Sequence, residues 1–275
     1  MNRYGKLVHL EIHRFRYFLL GLMALTFVVQ TTALIWKTLD KVALIRAGRH
    51  APHSFYGNDK LSFAWMVFST QEAFAVPVLV SIAALLLYVF LIWYREWFGR
   101  STFIYRLLML PTARRNLYLS KLTAILLFVF AMLSFQLLAL AIEQLIFRWI
   151  VPADLWGGSP FTDAILSNQA FELLLPLSGV QFVCIYGLGA LALTVLFTAI
   201  LLERSYRVWG VGYAIAYTAA CAAAVIAPLS ALGAGREDAF LYPREIFAIE
   251  LAVCLLVAAV SVGLGFRLLN KKVAV

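Results

Sequence analysis

Four polar side chains interrupt long apolar stretches of the sequence, and their types would suit contact with a polar solute inside a membrane. They are Gln136, Glu143, Gln181 and Glu250. An ionisable residue within a membrane segment is costly and is a functional candidate by default. The glutamines are predicted at mid-depth, and a rise of about 1.5 Å per residue puts the glutamates near the outer surface. The set predicts either a translocation path or, for the glutamates, interfacial solvation or ion pairs with Arg148 or Arg244.

The histidines and cysteines do not form a catalytic or metal-binding pattern. His9 and His13 share a helix face at i and i+4, which is the spacing of a metal pair, but Glu11 points away and cationic residues surround them. His50 and His53 fall in a loop, so a membrane-embedded enzyme would lack a histidine in its spans. The cysteines are predicted to be packing residues within apolar runs: Cys184, Cys221 and Cys254. We predict no catalytic, cofactor or metal site in this chain.

Membrane-spanning helices must carry these residues, because the chain is too apolar for a soluble domain. Hydrophobic residues make up 63% of it and charged residues 13%, against roughly half and a quarter in soluble domains. A span needs about 20 apolar residues. Six stretches meet this requirement: 17–36, 73–94, 122–147, 173–202, 209–232 and 246–266. The prediction is an all-α membrane protein with one transmembrane domain, residues 1–275.

Basic residues predict the orientation of the six helices. One side of the membrane receives 15 of the 23 Lys and Arg residues, in segments 1–16, 95–121, 203–208 and 267–275. By the positive-inside rule this side is cytoplasmic, so both termini are predicted in the cytoplasm and the protein in the inner membrane. Contact with anionic lipid then explains the net charge of +9 without a nucleic-acid partner.

Two cytoplasmic segments are predicted to lie along the membrane surface. Residues 1–16 form a basic, amphipathic lead-in, which is typical of an interfacial helix. Residues 95–121 mix apolar and basic side chains and are too charged to span, and Pro111 interrupts them because it lacks a backbone N–H. This second segment is either a solvated hairpin that only sets topology or a docking surface for a cytoplasmic partner.

The segment 95–121 also contains a recognisable order of residues. A Glu follows span two, a surface helix comes next, then a Leu-Pro-x-x-Arg turn, and a Lys opens span three. The positions are Glu96, Gly99, Leu110, Pro111, Arg114 and Lys121. In this order the segment resembles the intracellular coupling region of ABC-2-type transporter permeases. The Arg-rich lead-in with Glu11, the six spans and the cytoplasmic termini are also similar to that family.

The resemblance implies the transmembrane permease subunit of an ATP-binding-cassette exporter. Such permeases pair with a second copy or a homologous permease and bind two ATPase subunits, which carry ATP and Mg²⁺. A coupling helix between spans two and three transmits closure of the ATPases. The implied coupling residues are Glu96, Arg100, Arg106, Leu110, Pro111, Arg114 and Arg115. The chain has no Gly-x4-Gly-Lys-Ser/Thr phosphate loop, so hydrolysis is expected on the partner and not on this chain.

Small residues recur at every fourth position of the fifth span. They are Gly212, Ala216, Ala220 and Ala224. A stripe of this kind lets two helices approach closely, and it predicts either packing within one protomer or a seam between two. In the resembled family, spans one and five face the other protomer, which favours the seam.

Other classes of function stay open at this level. A secondary transporter driven by an ion gradient usually has repeated halves and charged sites at the membrane midplane, and the sequence has no convincing repeat. An accessory or immunity-type membrane protein would need no ATPase partner. The transported substance is not encoded in any of these motifs.

Overall fold

Long helices account for most of the protein. The computed structural model describes residues 3–47, 60–98, 113–206, 209–231 and 242–271. In chain order the elements of these ranges are α1 (Arg3–Arg46), β1 (Leu61–Ser62), α2 (Phe63–Ser69), α3 (Gln71–Phe98), α4 (Arg114–Ile150), β2 (Trp156–Gly157), α5 (Phe161–Leu166), α6 (Gln169–Leu174), α7 (Gly179–Ser205), α8 (Gly210–Ala231) and α9 (Pro243–Lys271). Six of them, α1, α3, α4, α7, α8 and α9, are long and apolar enough to cross a membrane. The prediction of an all-α, multi-pass membrane protein is therefore confirmed.

Helix α1 is longer than the predicted first span. It continues without a break from Arg3 to Arg46 and so includes most of the lead-in, residues 1–16. No proline occurs in this stretch, so every residue after the first turn can donate its N–H to the helix. The lead-in is thus continuous with the first span rather than a separate helix. Its position on the membrane surface stays a prediction.

The fourth span begins later than the sequence indicated. Helix α6 ends at Leu174 and α7 begins at Gly179, because Pro176 lacks an N–H and disfavours the helical conformation of the residue before it. The Ser178 hydroxyl then accepts a hydrogen bond from the backbone N–H of Gln181 at 3.1 Å and caps α7. Gln181 therefore lies in the first turn of the helix and not, as predicted, near the middle of a span.

The chain divides into two compact units. The first unit consists of Met1–Glu11, Tyr88–Leu126 and Val183–Val275, and the second of Ile12–Leu87 and Leu127–Phe182. Both units contain parts of α1, α3, α4 and α7, because the division falls within these four helices. Each unit has its own buried core.

In the second unit, the segment that precedes α3 and the segment that follows α4 pack into one apolar core. Strands β1 and β2 pair in parallel, with Leu61 opposite Trp156. Helices α2, α5 and α6 follow these strands and bury their apolar faces together. Phe74 and Phe171 are both fully buried, and their rings meet edge to face with centroids 5.4 Å apart. Segments predicted only as outer loops thus contain an ordered core.

In the first unit, the ring of Tyr118 is enclosed by aromatic side chains from other helices. Its centroid lies 5.5 Å from those of Phe197 on α7 and Phe266 on α9. Trp93 on α3 meets Phe197 edge to face at 5.4 Å. The Tyr118 hydroxyl donates to the Thr194 carbonyl oxygen at 3.2 Å, which satisfies its polar atom. Helices α3, α4, α7 and α9 therefore share one aromatic core.

We expect Gly265→Ala to destabilise the protein, because Gly265 packs directly against this enclosed ring. An added Cβ would lie 2.8 Å from Cε2 of Tyr118, and the cost of such overpacking is about 1–3 kcal/mol. Gly263→Ala on the same helix is the matched control, since its Cβ would meet nothing within 4 Å. Thermal unfolding in detergent should show a lower midpoint for Gly265→Ala only. Equal midpoints for the two variants would contradict the tight contact.

Candidate functional site

A buried ion pair connects the beginnings of α1 and α4 with the end of α3. The Lys121 ammonium lies 2.9 Å from Oε1 of Glu11 and 2.9 Å from the carbonyl oxygen of Ile92. Lys121 has a relative exposure of 0% and Glu11 of 2%. The Trp93 ring lies 5.3 Å from the ammonium and adds a cation–π contact. The half-exposed Arg95 approaches the second Glu11 oxygen at 3.6 Å. We call these five residues the lysine anchor.

The spacing on α1 explains why Glu11 is buried. Leu7, Glu11 and Phe15 follow one another at intervals of four residues, so they share a helix face, and all three are buried. An acid on this face needs a counter-charge, because an unpaired charge out of water is very unfavourable. Lys121 supplies it from α4. Both residues belong to the pattern that carries the family resemblance, but no local pattern predicts that they meet, because they are 110 residues apart in the sequence.

A second polar contact connects the ends of α3 and α7. The Tyr94 hydroxyl donates to a carboxylate oxygen of Glu203, and the Arg204 guanidinium lies 4.7 Å from the centre of the Tyr94 ring. Tyr206 and Tyr213 then join α7 to α8, with ring centroids 5.1 Å apart. By composition alone, the aromatic residues at this end of α3 are typical of the belt at a membrane–water interface. No periodicity in the sequence pairs Tyr94 with Glu203.

The structure describes the side chains of two predicted coupling residues, Arg114 and Arg115. Arg114 donates to the carbonyl oxygen of Leu269 at 3.0 Å, which attaches the start of α4 to the last turns of α9. Arg115 is exposed in the same turn. Glu96 belongs to α3, but its side chain lies outside the described part of the chain. The other motif positions lie wholly outside the described residues: Gly99, Arg100, Arg106, Leu110 and Pro111.

The residues predicted to line a path are divided between the units. Gln136, Glu143 and Gln181 belong to the second unit, and Glu250 to the first. Gln136 is buried and donates to the Gln30 amide oxygen at 2.9 Å, and the Gln30 amide donates in turn to the Phe74 carbonyl oxygen at 3.3 Å. This chain of hydrogen bonds connects α4, α1 and α3 within an apolar core, where each such contact contributes about 1 kcal/mol.

Glu143 lies fully buried on α4. The Thr31 hydroxyl donates to its Oε1 at 3.4 Å, and its Oε2 has no hydrogen-bond partner among the described residues. Arg148, one of the two predicted ion-pair partners, instead has its guanidinium 5.4 Å from the centre of the Trp156 ring. Glu143 is therefore a fully buried acid whose only described hydrogen bond is with a hydroxyl group.

The small-residue stripe of α8 is uncovered. Gly212, Ala216, Ala220 and Ala224 are all exposed, and a Cβ at Gly212 would meet nothing within 4 Å. Within the part of the chain that the structure describes, the stripe does not pack against another helix of the same protomer. The seam between two protomers stays a prediction.

The described residues include no group of three or more His, Cys, Asp or Glu side chains that could hold a metal ion. Comparison of the chain with protein-family models, curated proteins and solved structures gives no match. The lysine anchor fastens three helices, α1, α3 and α4, at one point.

Proposed function

We propose that the protein is the transmembrane permease subunit of an ATP-driven exporter of the ABC-2 type. The observation that carries the proposal is the lysine anchor, because it fastens the helices on both sides of the basic segment 95–121. That segment is the one whose residue order resembles a coupling region, and on the predicted orientation it faces the cytoplasm. ATP and Mg²⁺ would be bound by separate ATPase subunits.

The proposal requires the coupling segment to have firmly held flanks. At its start, Arg95 contacts Glu11, and the carbonyl oxygen of Ile92 just before it accepts a hydrogen bond from Lys121. At its end, Arg114 is bound to the Leu269 carbonyl and Lys121 to Glu11. A displacement of the segment would therefore be passed to α3 and α4 rather than absorbed by loose helix ends, since coupling is carried by rigid, packed elements.

The mechanism follows from these attachments. Closure of two ATPase subunits on ATP would move the basic segment, and the anchored ends of α3 and α4 would move with it. Two copies of the chain would then rock between inward-open and outward-open states, and ATP would favour one of these states. The uncovered stripe on α8 offers a surface for the second copy, because its small side chains allow close helix approach.

We expect Arg115→Glu to release the ATPase partner. Arg115 is an exposed cation at the edge of the proposed docking segment, and reversing its charge should weaken a complementary contact at least about tenfold. The measurement is retention of candidate ATPases, co-expressed with the tagged chain and purified in detergent. Arg244→Glu is the matched control, since it is also exposed in the first turn of a long helix but on the predicted outer side.

The same purification tests the proposal as a whole. A chain that retains none of the organism's ABC ATPases, and whose cellular effect persists without them, is not a permease of this type. Retention that is equally sensitive to Arg115→Glu and Arg244→Glu would place the contact elsewhere.

Glu143 favours a second candidate, a transporter driven by an ion gradient. A fully buried carboxyl group next to a hydroxyl is the kind of group that carries protons in such proteins. Transport would then stop when the proton gradient is collapsed and would be abolished by Glu143→Gln. In the exporter, transport would stop on ATP depletion, and Glu143→Gln would leave ATPase binding intact.

A further inference from the structure

The first unit contains a cavity between α7 and α9 that belongs neither to the lysine anchor nor to the coupling segment. Its volume is about 310 Å³, within the range of pockets that hold one small ligand. Its walls are apolar, with Val183, Leu188 and Leu191 on α7 and Leu251 and Leu255 on α9. The part on α9 extends from Phe247 to Ala258, which is about 16 Å at 1.5 Å per residue. An elongated apolar chain would fit this shape.

Glu250 is the charged residue among those described in the lining of this cavity. Its Oε2 is buried and has no hydrogen-bond partner among the described residues. Its Oε1 has a weak contact at 3.8 Å with the thiol of Cys254, which also lines the cavity. A carboxylate in apolar surroundings is strongly disfavoured until it meets a positive charge. The cavity therefore has apolar walls and one carboxylate, that of Glu250, which has no counter-charge among the described lining residues.

We propose that this cavity binds a single-chain amphiphile with one cationic head group. The ammonium would pair with Glu250, and the alkyl chain would lie along α7 and α9 towards Ala258. A neutral chain would leave Glu250 unpaired, and an anionic one would be repelled. This inference rests on the proposed function only in naming the class of molecule that the exporter moves; the binding itself does not depend on it.

Gly187 on α7 is a position at which a larger side chain can be introduced into the cavity. It lines the cavity, and a Cβ there would touch only Val183, at 4.0 Å. Gly187→Leu would therefore fill the cavity with side chain, and it replaces a poor helix former by a good one. The variant should fold at least as well as the parent and lose the space for an alkyl chain.

The test is equilibrium dialysis of the purified full chain in maltoside micelles, with empty micelles as the blank. The probes are labelled dodecyltrimethylammonium and labelled dodecanol, which share the chain and differ in charge. We expect about one cation bound per chain, at least about tenfold tighter than the alcohol. Glu250→Gln should remove this preference, and Gly187→Leu should weaken binding of both probes. Glu245→Gln, an exposed acid on the same helix, should change neither.

Equal binding of the two probes, or an unchanged preference in Glu250→Gln, would overturn the proposal. The outcome is separable from that of the proposed function. If the chain binds the cation but retains no ATPase, the proposed exporter function is wrong and the proposed binding site is supported. If the chain retains an ATPase but does not bind the cation, the binding site is wrong and the exporter function is supported.

Discussion

Lys121→Met is expected to destabilise the protein by about 3–5 kcal/mol, because it leaves the carboxylate of Glu11 buried without its main counter-charge. Methionine keeps the length and apolar stem of lysine, so packing changes little and the lost charge dominates. Arg95 would be the remaining cation, and it is partly exposed at 3.6 Å from the other carboxylate oxygen. Unfolding in detergent, followed by tryptophan fluorescence, measures the effect close to its origin because Trp93 lies 5.3 Å from the ammonium.

Two further variants separate charge from packing. In the double variant Glu11→Gln with Lys121→Met, neither member of the pair carries a charge, and most of the lost stability should return because neutral replacement of a buried pair is often tolerated. Arg95→Gln removes the partly exposed member and should cost no more than about 1 kcal/mol. A double variant as unstable as Lys121→Met would show that the side chains matter through shape and that the ion pair is incidental.

Gly210→Ala is expected to disrupt the junction between α7 and α8, at a cost of about 3 kcal/mol, the upper end of the usual overpacking range. A Cβ at Gly210 would lie 2.8 Å from both the carbonyl carbon and the Cα of Glu203, and closer still to its carbonyl oxygen. These are backbone atoms and cannot rotate away as a side-chain tip can. The junction also holds the Glu203 carboxylate against the Tyr94 hydroxyl, so the displacement should reach α3.

Gly212→Ala, two residues along the same helix, is the control, since open space surrounds its Cβ position. It should be neutral or slightly stabilising through helix propensity. The measurements are the folded yield by size-exclusion chromatography and the thermal midpoint in detergent. If both variants behave like the parent, the close approach of α8 to Glu203 does not exist in solution.

Most of the fold's helices could be predicted from local composition. The first three and the last predicted spans fall inside α1, α3, α4 and α9, and the fifth differs from α8 by one residue at each end. The free-energy cost of a polar residue in hydrocarbon depends mainly on that residue itself. A run of about 20 apolar residues is therefore enough to predict a membrane-spanning helix. The fourth span was placed too early because the apolar run continues through Pro176, where backbone hydrogen bonding and not hydropathy decides the helix start.

The candidate site was only partly predictable. Glu11, Arg114 and Lys121 all belong to the pattern that resembles the permease family. No local pattern, however, predicts which helix each of them contacts. Arg114 is predicted to couple to an ATPase, which stays a prediction, and the structure gives it a hydrogen bond with the Leu269 carbonyl. No local pattern pairs Tyr94 with Glu203, which meet only in the folded chain. Such contacts depend on how each helix is rotated about its axis, and single-residue preferences do not determine that rotation.

Local composition was enough to predict that this chain crosses a membrane several times, because lipid solvates each apolar segment independently of the others. The folded molecule was needed to show that Lys121 neutralises Glu11, that Glu143 is buried with a hydroxyl beside it, and that Glu250 faces an apolar cavity. All three findings have one cause. A charge out of water is tolerated or not according to the atoms within a few ångströms of it, and distant parts of the chain supply those atoms.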